Sequence, residues 1–197
     1  MITVVSGLPR SGTSLMMQMI VAGGMAPLTD GLRTADENNP KGYYEWEPAK
    51  GLKQNPGAIT AAEGKVVKII SALLPLLPDG HVCRIVFMMR PLEEVIASQN
   101  SMLRRMGKEV PNTSEASVRA AFEKRLRETG NLLAKRKNMT VLKVEHARVL
   151  ADPMGQASMV AEFLGTGLSV EAMAARVERA LHRERAKSQD LAYFRST

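Results

Sequence analysis

The chain has 197 residues, of which 45% are hydrophobic. That suits one compact core, and the expectation is a single domain over 1–197. The net charge of +7 points to anionic ligands, while only 4% aromatic residues argue against a stacking surface for single-stranded nucleic acid. No run of about 20 apolar residues could span a membrane. The lone cysteine, Cys83, excludes an internal disulfide and reads as a small buried strand residue. Because the first residues enter a strand at once, no signal peptide is expected, and the chain reads as cytoplasmic.

Residues 2–14 read ITVVSGLPRSGTS. A β-branched strand runs into a Gly-rich turn and then into a helix predicted from Gly12 to about Ala22, stopped by Gly23 and Gly24. The loop Gly7-Leu8-Pro9-Arg10-Ser11-Gly12-Thr13-Ser14 has the G-x-x-x-x-G spacing of a phosphate-cradling loop. Its glycines permit close backbone approach, its N–H groups form an anion nest, and the helix start adds a positive dipole end. An ATP-binding P-loop carries Lys after the second glycine. Here Thr13 stands there and the cation is Arg10, inside the loop.

The stretch 29–48 is irregular and polar, and a short helix is predicted between Pro48 and Gln54. A strand follows over 65–70, then an apolar segment to Leu77. A further strand is predicted over 83–89. Arg90 ends it, and Pro91 sits at the first position of a helix reaching about Arg105, with Glu93 and Glu94 complementing its dipole. Thr113 or Ser114 caps a long helix to about Lys135. A strand over 140–144 and helices over 153–164 and 170–181 complete the pattern, with Asp152 as N-cap and Pro153 as first helical residue. Apolar strands that alternate with helices indicate a three-layer α/β/α fold with a parallel sheet, whose ligands sit beyond the carboxyl ends of the strands. The abundant methionines read as core filling. The basic runs 124–137 and 176–187 read as solvated helix faces interleaved with Glu123, Glu128, Glu178 and Glu184.

Pro9 to Ser14 match the P-[KR]-S-G-T-[ST] motif of sulfotransferases, and GLPRSGTSL resembles the 5′-phosphosulfate loop of that family. Arg90 at a strand end and Ser98 eight residues later resemble its 3′-phosphate site. The segment 141–165 is similar to the family's strand, acidic turn and D-P-capped helix. The resemblance covers nearly the whole chain. It implies the P-loop nucleoside triphosphate hydrolase-like sulfotransferase fold and transfer of a sulfuryl group from 3′-phosphoadenosine 5′-phosphosulfate (PAPS) to a hydroxyl acceptor, releasing adenosine 3′,5′-bisphosphate (PAP). It assigns cofactor binding to Pro9, Arg10, Ser11, Gly12, Thr13, Ser14, Arg90 and Ser98. Arg183, in LHRER, resembles a C-terminal segment of bacterial members that approaches the cofactor.

ENNPKGYYEWEP, residues 37–48, resembles an N-P-[KR]-G-[YF]-[FYW]-E segment near the family's acceptor site. Glu45 aligns with the acid of that motif, and Glu47 is its neighbour. Desolvation beside Tyr44 and Trp46 would suit a general base. The competing reading is loop acids paired with Lys41 or Lys50. In an extended stretch Tyr44 and Trp46 would share one face. His146 and His182 are rival bases, though neither sits where the family's His is expected. Lys68 stands where many relatives have a K-D-P-R segment whose Asp, Pro and Arg this chain lacks; it could reach the sulfonate or snorkel at the strand edge.

No metal is implied. The acceptor is a small-molecule, carbohydrate or lipid hydroxyl, and neither nucleic acid nor a membrane span is expected. Two other readings compete. One is an ATP-dependent small-molecule kinase, which would need a P-loop Lys and a strand-end Asp for magnesium. The other is a non-catalytic protein that binds adenine bisphosphates and needs no base.

Overall fold

A computed structural model describes residues 1–32, 42–165 and 167–178. Five parallel strands form one sheet: β1 (Ile2–Gly7), β2 (Pro27–Leu28), β3 (Val66–Lys68), β4 (Cys83–Met89) and β5 (Met139–Glu145), in the spatial order β2-β3-β1-β4-β5. The central strands are buried almost throughout, which is why they read as continuous apolar runs and not as alternating ones.

Successive side chains still point to opposite faces. Ile2, Val4, Val67, Ile85, Phe87 and Met89 join one core cluster, while Val5, Val66, Val86 and Met88 join the other. Among the described residues six α-helices cover the sheet: α1 (Thr13–Ala22), α2 (Leu92–Arg105), α3 (Glu115–Lys135), α4 (His146–Ala151), α5 (Pro153–Leu164) and α6 (Val170–Ala174). The first cluster is closed by Leu92 and Val95 of α2 and by Leu126 and Leu133 of α3. The second is closed by Met16, Met17, Met19 and Ile20 of α1 together with Ala157 and Val160 of α5 and Met173 of α6. The expected three-layer α/β/α architecture is therefore present, with the methionines of α1 as core residues.

The topology places the functional end. β1 and β4 are neighbours, paired in parallel from Ile2↔Cys83 to Gly7↔Met88. The helix after β1 lies on one face and the helices after β4 on the other. Neighbouring strands whose connections leave to opposite faces open a crevice at their carboxyl ends, the usual ligand position in such sheets.

Several boundaries differ from expectation. β3 is shorter than 65–70, because after Ile69 donates to the Val5 carbonyl (3.0 Å) the chain turns into a 3₁₀ helix, Ser71–Leu76. Pro91 is the N-cap of α2 and not its first residue, since its ψ of 135° is still extended. α6 ends at Ala174 and not near 181: Arg176 and Val177 donate three residues back, which tightens and closes the turn. α4, β2 and a 3₁₀ helix over Pro56–Ala62 were not anticipated. The N-caps were legible: Ser114 accepts from Ser117 (3.2 Å), and Asp152 accepts from Gly155 (3.0 Å). Cys83 is buried in β4, and burial pushes its thiol pKa up. Among the described residues no helix is long and apolar enough to cross a membrane.

Candidate active site

The loop between β1 and α1 is shaped by two glycines. A Cβ on Gly7 (φ +145°) would stand 2.5 Å from the Ser11 hydroxyl and 2.7 Å from the Met88 carbonyl, so only glycine lets the loop lie this close to β4. Gly12, at φ 101°, is the N-cap of α1 and makes no side-chain cap. The N–H groups of the first helical residues, Thr13, Ser14 and Leu15, have no acceptor within the helix and carry its positive dipole end. Ser11 departs from the expected nest. Its N–H (3.1 Å) and its hydroxyl (2.7 Å) both donate to the Leu8 carbonyl, so they close the turn instead of pointing at an anion.

Arg10 lies in the left-handed region at φ 70°, uncommon for a side-chain-bearing residue. Its Nε donates to the Ser98 hydroxyl at 3.0 Å, and its Nη1 lies 3.9 Å from the Met102 sulfur. Its carbonyl accepts from Arg90 Nη1 at 3.1 Å. Arg90 Nε donates in turn to Glu94 at 2.8 Å. The crevice between β1 and β4 thus joins Arg10 to Arg90 and Ser98, which lie 80 and 88 residues further along the chain, in one network.

Sequence reasoning missed Glu94. Its place in the first turn of α2 accounted for it as a dipole partner, and that role is filled as well by Glu93, which pairs with Arg119 of α3. The available signal was the four-residue spacing to Arg90.

The acid segment takes a different course from an extended strand. Tyr44 has φ 52°, and this kink breaks the alternation. Trp46 consequently packs in the cluster below α2 and α3, while Tyr44 packs against the cluster on the α1 face. The expectation that they share a face is corrected. Glu45 lies 3.8 Å from the ammonium of Lys68, which is buried, donates to the Tyr43 carbonyl and sits 5.9 Å from the Tyr43 ring centroid. Lys68 is paired in register with Val5, two residues before Gly7, so Glu45 is tethered to the strand beside the loop. Glu47 instead opens a 3₁₀ helix (Glu47–Gly51) and pairs with Lys50 at 2.7 Å, the solvated arrangement considered for the loop acids.

The segment is strapped to the exit of β2. Thr29 Oγ1 donates to the Glu45 carbonyl (2.9 Å), and the Asp30 carboxylate accepts from the N–H groups of Glu47 (2.6 Å) and Leu32 (3.1 Å). The Glu47 N–H, followed by that of Leu32, holds the Asp30 pKa below its ordinary value.

His146, the first residue of α4, is buried, and its ring fills the space beside Gly12: a Cβ there would lie 2.6 Å from Cδ2. Its position after β5 gave no hint of this, because strand order is invisible in sequence spacing. Arg183, His182, Lys41 and the first part of the 37–48 motif lie outside the described residues.

No protein-family model matches the chain, and no curated protein sequence matches it. Solved structures do. A crystal structure of retinol dehydratase in complex with androsterone and the inactive cofactor PAP matches at 16% identity and a TM-score of 0.52, covering 88% of this chain. The chain spans 62% of the length of that protein. The sulfotransferase domain from the curacin biosynthetic pathway matches at 13% identity and a TM-score of 0.50, covering 92% of this chain and 88% of that domain. The chain therefore has the α/β fold that the curacin sulfotransferase domain and the PAP-bound retinol dehydratase share.

Proposed function

We propose that this chain is a sulfotransferase of one domain that moves a sulfuryl group from PAPS to a hydroxyl acceptor and releases PAP, working in the cytoplasm. The observation that carries this reading is the Arg10–Ser98 and Arg10–Arg90 network in the β1/β4 crevice. The residues present fit such a cofactor. A glycine cradle and a helix start suit its 5′-phosphosulfate, and a second cation with a hydroxyl suits a separate phosphate. A structure of the same fold contains PAP together with androsterone, in line with this cofactor and with a small-molecule acceptor. Carbohydrate and lipid hydroxyls belong to the same acceptor class, and no nucleic-acid partner is proposed.

The cofactor supplies the activated sulfuryl group. The N–H groups at the start of α1, with Thr13 and Ser14, hold the 5′-phosphosulfate, while Pro9 and Gly12 shape the turn. Arg10 meets the charge that grows on the leaving phosphate oxygen. Arg90 and Ser98 hold the 3′-phosphate. Glu45, held by Lys68, takes the acceptor proton as the new O–S bond forms and the bond from sulfur to the 5′-phosphate oxygen breaks. Glu45 is preferred over Glu47 because only Glu45 is tethered to the strand beside the loop. An ATP-dependent kinase fits less well: Thr13 replaces the P-loop Lys, β3 ends at Lys68, and β4 ends at Met89 and is followed by Arg90, where an acid would hold magnesium.

The test is incubation with PAPS and pools of hydroxyl compounds, followed by mass spectrometry for the gain of one sulfuryl group. Glu45→Gln is expected to lower turnover by about 10²-fold or more while retaining PAP affinity. Glu47→Gln is expected to remain near wild type. Full turnover in Glu45→Gln, with loss in Glu47→Gln or His146→Ala, would reassign the base.

A further inference from the structure

The ion pair between Arg90 and Glu94 has no part in the roles assigned above. Both residues are buried, at 8% and 6% exposure. A buried carboxylate is costly unless paired and hydrogen-bonded, and dipole compensation does not require burial, as the half-exposed Glu93 shows. The burial of Glu94 is explained if the direction of Arg90 matters. A guanidinium is planar and holds five N–H donors in a fixed fork. Glu94 takes Nε and the Arg10 carbonyl takes Nη1. Two fixed N–H directions define the plane, and with it the direction of the other donors.

We infer that Glu94 is a positioning residue that gives the crevice its selectivity for a nucleotide bearing a second, 3′-phosphate, by fixing the plane of the Arg90 guanidinium. This rests on the reading of Arg90 as the 3′-phosphate ligand. A plain counter-ion would act with the opposite sign, because removing its charge would tighten phosphate binding.

Calorimetric titration of PAP and of 5′-AMP, which lacks the 3′-phosphate, into wild type, Glu94→Gln, Glu94→Asp and Glu94→Ala separates these roles. The readout is the ratio of the two affinities, which a general loss of stability would leave unmoved. Wild type is expected to favour PAP. Glu94→Gln still accepts from Nε and is expected to keep or raise the ratio. Glu94→Asp keeps the charge but falls short by one methylene, and its ratio should drop about tenfold, as should that of Glu94→Ala. Should Glu94→Ala fail to fold, the aspartate variant, which keeps the buried charge, carries the test. A wild-type ratio in Glu94→Asp and Glu94→Ala would overturn the inference. So would a ratio that rises in Glu94→Ala, or one that falls as far in Glu94→Gln as in Glu94→Ala. A wild type without preference for PAP would instead remove the 3′-phosphate role of Arg90 itself, and this inference with it.

Discussion

Arg10 holds a left-handed backbone that costs on the order of 1–3 kcal/mol in a side-chain-bearing residue. Arg90 grips its carbonyl, and Ser98 holds its side chain on α2. Strain kept in place at a loop that presents a cation points to a catalytic role for that cation. Arg10→Ala should lower turnover by about 10²–10³ with a smaller effect on PAP affinity, and Arg10→Lys should be milder. Arg10→Gly removes the same charge but suits φ 70°, so it should lose as much turnover as Arg10→Ala while melting higher. A change confined to the cofactor KM would make Arg10 an anchor only. The pattern from Pro9 to Ser14 and the Arg90–Ser98 spacing were legible because each is local in sequence. Glu94 was obscured because an acid in a first helical turn already has a sufficient explanation. The kink at Tyr44 had no signal either, since tyrosine is not a residue that announces a positive φ.

At the scale of elements, the strap from 29–32 to 45–47 decides whether Glu45 is held beside Lys68 on β3. The Asp30 carboxylate has its pKa lowered by the N–H groups it accepts from. A lowered pKa in the folded state means that the contribution is full above the ordinary aspartate value and is lost as pH falls through the folded value. Protection of the Glu47 amide from exchange, relative to its intrinsic rate, should therefore be high at neutral pH and should be lost only below the ordinary carboxylate range of about 4. Asp30→Ala should remove that protection at neutral pH, leaving exchange there as in the wild type at low pH, and should lower turnover with little change in melting temperature, because Asp30 is exposed. Unchanged protection at Glu47 in Asp30→Ala would mean that the Asp30 carboxylate does not hold the segment. The strap was not legible in the sequence: β2 has two residues, one of them proline, and its role comes from long-range hydrogen bonds. The long elements were legible because capping residues and apolar periodicity agree. α4 was missed because six residues directly after a strand leave no room for a periodic pattern.

At the scale of the whole molecule, the fold class was legible because strands buried on both faces read as apolar runs between helices. The order β2-β3-β1-β4-β5 was not, since periodicity says nothing about which strand lies beside which. That order makes the crevice: it sets β1 beside β4, brings the Arg10 loop to Arg90, and lets β5 deliver His146 to Gly12. The net charge of +7 suits a doubly phosphorylated ligand. On the proposed function this crevice is built for a 3′,5′-bisphosphorylated adenosine. The most direct measurement is the melting temperature of the wild-type protein with saturating PAP and, separately, with saturating ATP and magnesium. A clear rise is expected with PAP and a much smaller one with ATP–magnesium, the PAP effect being lost in Arg90→Ala. An equal or larger rise with ATP–magnesium would contradict it and favour the kinase reading.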